Sequence, residues 1–325
     1  MSRAGEDVSR AAGGVSRAAG GVSRAGGGES RAGGGESPAG GGVSRAGASA
    51  TAVSVRDALD GAATAIAAGG SPSPRLDAEL LLAEALGVSR SRLHSHPEAP
   101  VDGAAVRGYQ SFVRRRSVLR EPVAYIVGRR GFRRIELAVD PRVLIPRPET
   151  EHLVEVGLEL AIGARVLDLA TGSGAIALAL ADERPDLRVS GSDASPDALA
   201  LARSNAAALG LDVDWHEADL LDGVPGEWEA ILANPPYIPT TVLAGLEPEV
   251  SRHEPALALD GGADGLVVLR RLIEAVAATP TPLLGLEVGA GQAAAVVELL
   301  GRAGFPSVET RRDLAGVERV VVARR

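Results

Sequence analysis

The chain has 325 residues, 34 Lys plus Arg against 42 Asp plus Glu, no cysteine and a formal charge of −8 at pH 7. Without cysteine there can be no thiolate catalysis, disulfide or thiolate zinc site, and the acidic balance argues against a protein that grips nucleic acid through its phosphates. Its apolar runs are too short, or too broken by charge, to span a membrane, so a cytoplasmic protein is expected.

Residues 1–50 repeat a seven-residue unit, first seen as Val8-Ser9-Arg10-Ala11-Ala12-Gly13-Gly14. Seven would suit a coiled coil, but each unit carries at most one large apolar residue and several glycines. No seam can be buried, so a disordered tail is expected. It has no apolar h-region and is not a signal peptide; a start codon set too far upstream, with the true beginning near Val53, is one reading of it. The tail holds six arginines and four acids, which leaves 28 basic and 38 acidic groups, a balance of −10, in residues 51–325. Every basic group of the Lys plus Arg count is arginine, a compositional bias rather than chemistry.

Residues 51–125 read as a helical domain. Asp77 to Leu86 forms a helix closed by Gly87, and Ala104 to Leu119 another, whose Arg114-Arg115-Arg116 end suits a helix C-terminus and a solvated face. Residues 126–150 read as a hairpin and linker: Arg129 to Val139 alternates, and Ile145-Pro146-Arg147-Pro148-Glu149-Thr150 leads into a helix with proline near its start. From 151 to 325 strands and helices alternate. The strands fall at Arg165–Leu169, Leu187–Ser192, Val213–His216, Ala230–Ala233 and Leu283–Val288. A closing hairpin pairs Ser307–Thr310 with Arg319–Ala323. The pattern predicts an α/β fold, a doubly wound, mostly parallel sheet ending in an antiparallel hairpin.

Ligands of such sheets bind beyond the carboxyl ends of the strands. The first strand runs into Asp168-Leu169-Ala170-Thr171-Gly172-Ser173-Gly174, where glycines let backbone approach a ligand and present helix N–H groups. The second ends at Asp193, placed to accept from a ribose diol. That much also fits a dinucleotide, since Gly172 to Ala177 matches G-x-G-x-x-A. The fourth strand ends in Asn234-Pro235-Pro236-Tyr237. An asparagine offers a carbonyl acceptor and an amide donor, two prolines hold stiff carbonyls with no N–H between them, and the tyrosine ring supplies a flat lid. The set suits gripping a planar amino group, of an amide or a nucleobase, against an electrophile. S-adenosylmethionine supplies one as a methyl sulfonium, with the acid of Glu217-Ala218-Asp219 placed for its adenine. A hydride-transfer site would want a proton donor; the candidates, His216 and His253, are lone histidines, and no residues have metal-ligand spacing.

Glu121 to Gly128, Leu144 to Thr150, Asp168 to Gly174, Asn234 to Ile238, Glu254-Pro255, Glu287-Val288-Gly289 and the final Asp313, Gly316 and Arg319 resemble the HemK-type protein-glutamine methyltransferases that modify peptide chain release factors. The resemblance covers residues 51–325. It implies a class I methyltransferase sheet and transfer from S-adenosylmethionine to the glutamine amide nitrogen of a release factor's Gly-Gly-Gln loop. It also implies cofactor contacts from Asp168, Ala170, Thr171, Gly172, Ser173, Gly174, Asp193, Asp219, Leu220 and Asn234, with Asn234, Pro235, Pro236 and Tyr237 at the reacting amide. A ribosomal-protein glutamine methyltransferase shares nearly the same clamp, and adenine- and guanine-amino methyltransferases share Asn-Pro-Pro-Tyr. A cofactor-binding regulator would keep the glycine loop and Asp193 but have no use for Asn234. The partner implied is a release factor, without nucleic acid or membrane, and the chain is expected to be a monomer. One residue departs from the family pattern: Ala170 stands where glycine is usual. Because alanine disfavours positive φ, Ala170 is expected to take an ordinary backbone angle or to shift the loop.

Overall fold

The computed structural model describes residues 53–325, so the tail expected over 1–50 lies outside the described residues. Helix α1 (Val55–Ala68) starts at Ser54, whose hydroxyl accepts from the Asp57 N–H, satisfying one free donor of the first turn. Helix α2 (Pro74–Leu86) ends on Gly87 at φ +62°, a left-handed angle that glycine takes without a Cβ clash. Helices α3 (Arg90–Ser95) and α4 (Gly103–Ser117) follow. Leu59, Ile66, Leu81, Leu82 and Tyr109 form their shared core. A five-residue helix, α5 (Val123–Val127), leads into the antiparallel hairpin of β1 (Arg129–Phe132) and β2 (Ile135–Ala138). It is too short to show a helical period, so the sequence does not reveal it.

The solvated face expected for Arg114 to Arg116 is wrong for Arg116, which is buried between Asp77 of α2 and Glu249. Arg120 joins the same carboxylate at 2.7 Å and donates to the Gly69 carbonyl at 2.6 Å. Against the cost of burial, these two guanidiniums hold the Glu249 carboxyl down at about 2. Through the Glu249 carboxylate, Arg116 and Arg120 tie the helical region to the segment following Asn234.

A 3-10 turn at Pro148–Thr150 runs into α6 (Glu151–Leu158). Then come β3 (Arg165–Leu169), α7 (Ala175–Glu183), β4 (Arg188–Asp193), α8 (Pro196–Leu209), β5 (Asp214–Glu217) and β6 (Ala230–Ala233). They are followed by α9 (Pro248–Ser251), α10 (Val267–Ala277), β7 (Leu283–Glu287), α11 (Ala293–Arg302), β8 (Ser307–Arg312) and β9 (Glu318–Arg324). The seven strands are ordered β5-β4-β3-β6-β7-β9-β8, with β5 to β7 parallel and β9 antiparallel to both neighbours. This is the doubly wound sheet with a terminal hairpin that the sequence predicts. The order reverses at β3, where β4 and β6 flank it, so a crevice opens beyond its carboxyl end.

Side chains alternate between the two faces of a strand. Ala230 and Leu232 of β6 and Leu283 of β7 join the core cluster that includes Leu153 and Val156 of α6. Ile231, Ala233, Leu284 and Leu286 join the opposite cluster, with Leu269 and Leu272 of α10. Continuing the alternation puts Asn234 and Glu287 on the α6 face, beside the turn that starts α6.

Candidate active site

Two adjoining cavities occupy the crevice and share Ala170, Asp193, Pro236 and Leu257. The first is lined by Thr150, Thr171, Gly172, Ser173 and Asn234, with Arg147 from the linker. The second is lined by Asp219, Leu220, Pro235 and Arg271. Most residues expected in the site therefore meet at one place. Asp168, Gly174 and Tyr237 line neither cavity. They support the site from behind.

Asp168 is fully buried on the α7 face of β3. Its Oδ2 accepts from the Thr171 hydroxyl and, at 3.0 Å, from the Ala177 N–H, so it binds the loop to the first turn of α7. Burial raises its carboxyl to about 7, against the pull of those two donors. Its Oδ1 is buried without a partner. Asp193 takes the Gly172 N–H on one oxygen and the Ser195 N–H on the other, each at 2.9 Å. A carboxylate oxygen accepts more than one bond, so both oxygens keep capacity toward the cavities that Asp193 lines. Burial pushes its carboxyl up as well.

Ala170 does not take an ordinary angle: its φ is +60°, in the left-handed region. The ordinary angle is denied to it because the turn is fixed from both sides. Thr171 N–H is bonded to the Ser192 carbonyl, Gly174 N–H to the Thr171 carbonyl, and Asp168 holds the rest. The alanine therefore takes left-handed strain, about 1–2 kcal/mol for a residue with a Cβ. Leu220, at φ +58°, sits in the same region just beyond the end of β5.

Asn234 Nδ2 donates to Thr150 Oγ1 at 3.1 Å. The Thr150 hydroxyl donates to Glu287 Oε2 at 2.6 Å, and the Tyr237 hydroxyl donates to Glu287 Oε1 at 3.2 Å. Tyr237 is thus turned to a buried carboxylate and is not a lid over the cavity. Its backbone is gripped too: Gln292 Nε2 donates to its carbonyl at 2.9 Å, and a Cβ on Gly265 would stand 2.4 Å from that same oxygen. Burial raises both the Glu287 carboxyl and the Tyr237 hydroxyl. Thr150 and Glu287 carried no role in the sequence reading, although both lie in its motifs. Asn234 and Tyr237 straddle two prolines, and only folding shows that both chains of hydrogen bonds end on one acid.

Asn205, the chain's other asparagine, is buried at the back of the loop. It accepts from Ala138 N–H at 2.9 Å and donates to the Ala138 and Ser173 carbonyls, joining β2 to the glycine loop. Asp219 pairs with Arg271 of α10 at 2.8 Å on the exposed rim. His253 lines neither cavity and contacts the Leu119 carbonyl. Among the described residues no helix is long and apolar enough to cross a membrane.

Residues 57–128 match the family described as the PrmC N-terminal domain, and residues 149–244 the methyltransferase small domain. A protein of Rhodospirillum rubrum named release factor glutamine methyltransferase is 42% identical over 278 residues, covering 82% of this chain and 84% of its own. Proteins of the same name from Deinococcus radiodurans and Mycolicibacterium smegmatis are 42% and 40% identical. They cover 84% and 83% of this chain, and 99% and 98% of their own lengths.

Proposed function

Since the chain belongs to the release factor glutamine methyltransferase family, we propose that it methylates the side-chain nitrogen of the glutamine in the Gly-Gly-Gln loop of class 1 peptide chain release factors. S-adenosylmethionine would supply an electrophilic methyl group on a sulfonium. The crevice suits it: Asp193 is fixed at the switch point with acceptor capacity toward a ribose diol, the Ala170 to Ser173 backbone lines the adjoining space, and Asp219 and Leu220 lie on the side expected for adenine.

The observation that carries the reading is the orientation of Asn234. The single hydroxyl proton of Thr150 goes to Glu287, so toward Asn234 the hydroxyl oxygen can only accept. It therefore takes the Asn234 amide hydrogen, which leaves the Asn234 carbonyl oxygen for the cavity that Asn234 lines. That oxygen and the Pro235 carbonyl would receive the two N–H bonds of the substrate amide. An amide nitrogen is a poor nucleophile because its lone pair is delocalised. Two acceptors hold its plane, aim the nitrogen at the methyl carbon and stabilise positive charge growing on it. S-adenosylmethionine would supply the methyl and keep on sulfur the electron pair of the S–C bond as the N–C bond formed, and the extra proton of the amide would then leave to water. No general base has to act first.

Residues 51–125 would dock the release factor, residues 126–150 would join the two parts, and residues 151–325 would carry the transfer. The protein would act as a cytoplasmic monomer. The test is incubation with labelled S-adenosylmethionine and either a purified release factor or its Gln→Ala loop variant. Label is expected on the first alone; label on the variant, or on added nucleic acid, would overturn the reading.

A further inference from the structure

We propose that Thr150 and Glu287 are positioning residues that set which end of the Asn234 carboxamide faces the substrate; the inference rests on the glutamine reading above. A carboxamide can turn by 180° about its last bond with almost no change in shape. One orientation offers substrate an acceptor. The other offers two donors, which would repel an incoming –NH2 group. Nothing in Asn234 itself selects between them.

The selection comes from two residues behind it. Glu287 is 1% exposed and stands on the last residue of β7, on the same sheet face as Asn234. Both of its oxygens accept: the Thr150 hydroxyl donates to Oε2 and the Tyr237 hydroxyl to Oε1. Thr150, 4% exposed at the end of the 3-10 turn, is left with lone pairs facing Asn234. The polarity of the chain runs one way, from Asn234 through Thr150 to the acid. Tyr237 closes it from the far side, so the strand-end segment is held at both its asparagine and its tyrosine by one carboxylate. Gly285, two residues before Glu287, allows α6 to sit close enough for this: a Cβ there would stand 2.8 Å from Leu232 and 3.3 Å from Leu153. Removing Thr150's hydroxyl leaves Asn234 free to turn while the cofactor loop keeps its own bonds to Asp168 and Asp193. Replacing the Glu287 carboxyl by an amide lets that position donate to Thr150, which would turn the Thr150 proton toward Asn234 and favour the wrong face.

The experiment compares wild type with Thr150→Val, Thr150→Ser and Glu287→Gln, using a purified release factor, with kcat, KM and S-adenosylmethionine affinity measured together with Tm. Partners that orient metal ligands typically matter by about 10–100-fold, and a fall in kcat of the same order is expected for Thr150→Val, with cofactor affinity within about twofold of wild type. Thr150→Ser, which keeps the hydroxyl, should restore kcat to within about threefold, and Glu287→Gln should lower kcat without weakening cofactor binding. Wild-type kcat in Thr150→Val, or in Glu287→Gln should the valine variant fail to fold, would overturn the inference while leaving the glutamine reading intact. Cofactor affinity and Tm falling in step with kcat would also overturn it, by making the pair a support for the fold. An inactive wild-type protein would instead remove the reading on which both stand.

Discussion

Arg147 Nη2 and Glu254 Oε1 meet at 2.5 Å beside the crevice, joining the linker ahead of α6 to the segment that follows α9. The Glu254 side chain is 2% exposed and its other oxygen is buried without a partner, whereas the Arg147 side chain is 32% exposed. Burial pushes the Glu254 carboxyl up, and Arg147 opposes that push. Both segments contribute to the lining of the first cavity, through Arg147 on one side and Pro255, Leu257 and Ala258 on the other.

Arg147→Ala should therefore leave an uncompensated buried carboxylate. Breaking a fully buried pair costs about 3–5 kcal/mol; because Arg147 is partly exposed, about 2–3 kcal/mol is expected in urea unfolding. Adding Glu254→Gln to the same chain should recover part of that loss. A single-variant cost below about 0.5 kcal/mol would show that the pair is a surface contact.

Ala170→Gly should raise stability. The substitution relieves about 1–2 kcal/mol of left-handed strain and gives back about 0.4–1 kcal/mol through the looser unfolded chain. The net gain of about 0.5–1 kcal/mol corresponds to a Tm increase of about 1–4 °C for a domain of this size. Calorimetry checks it, and an unchanged or lower Tm would mean that the alanine's angle is not strained.

The ligand-free protein should lose stability as pH rises from about 4 to about 8. Asp168 has its carboxyl raised to about 7 by burial, above the ordinary value of about 3.9 in an unfolded chain. The native state then holds a proton that the unfolded state releases. Its contribution is fully present below about pH 4 and is lost as pH climbs through about 7. Asp193, Glu254 and Glu287 are raised in the same direction. Asp168→Asn should flatten part of the fall in Tm across this window, and parallel Tm profiles for the two proteins would contradict the assignment.

Much of this was legible in the sequence because local rules and global fold agree. Ser195-Pro196 opens α8 and Gly210 closes it at φ +68°, as a cap, a first-turn proline and a left-handed glycine should. The strands emerge because runs such as Ala230 to Ala233 are wholly buried. What escaped was whatever depends on partners far apart in the chain. Arg116 reads as a solvated helix end until Asp77 and Glu249, 39 and 133 residues away, close around it. Tyr237 reads as a lid until Glu287, 50 residues on, captures its hydroxyl. Ala170 failed for the opposite reason. Its own preference was read correctly, but the hydrogen bonds of its neighbours outweigh it. Thr150 stands out in the sequence as the one hydroxyl of its motif; its role does not.

In the proposed mechanism Asn234, expected at both the cofactor and the reacting amide, acts chiefly by aligning the amide. The most direct test of that role is turnover of Asn234→Ala on a purified release factor at saturating S-adenosylmethionine, with cofactor affinity measured on the same sample. Loss of a preorganised polar contact at a reacting centre typically costs about 10²–10³ in kcat, and a fall of at least that size with cofactor affinity largely intact is predicted. Turnover within a few-fold of wild type would contradict the account.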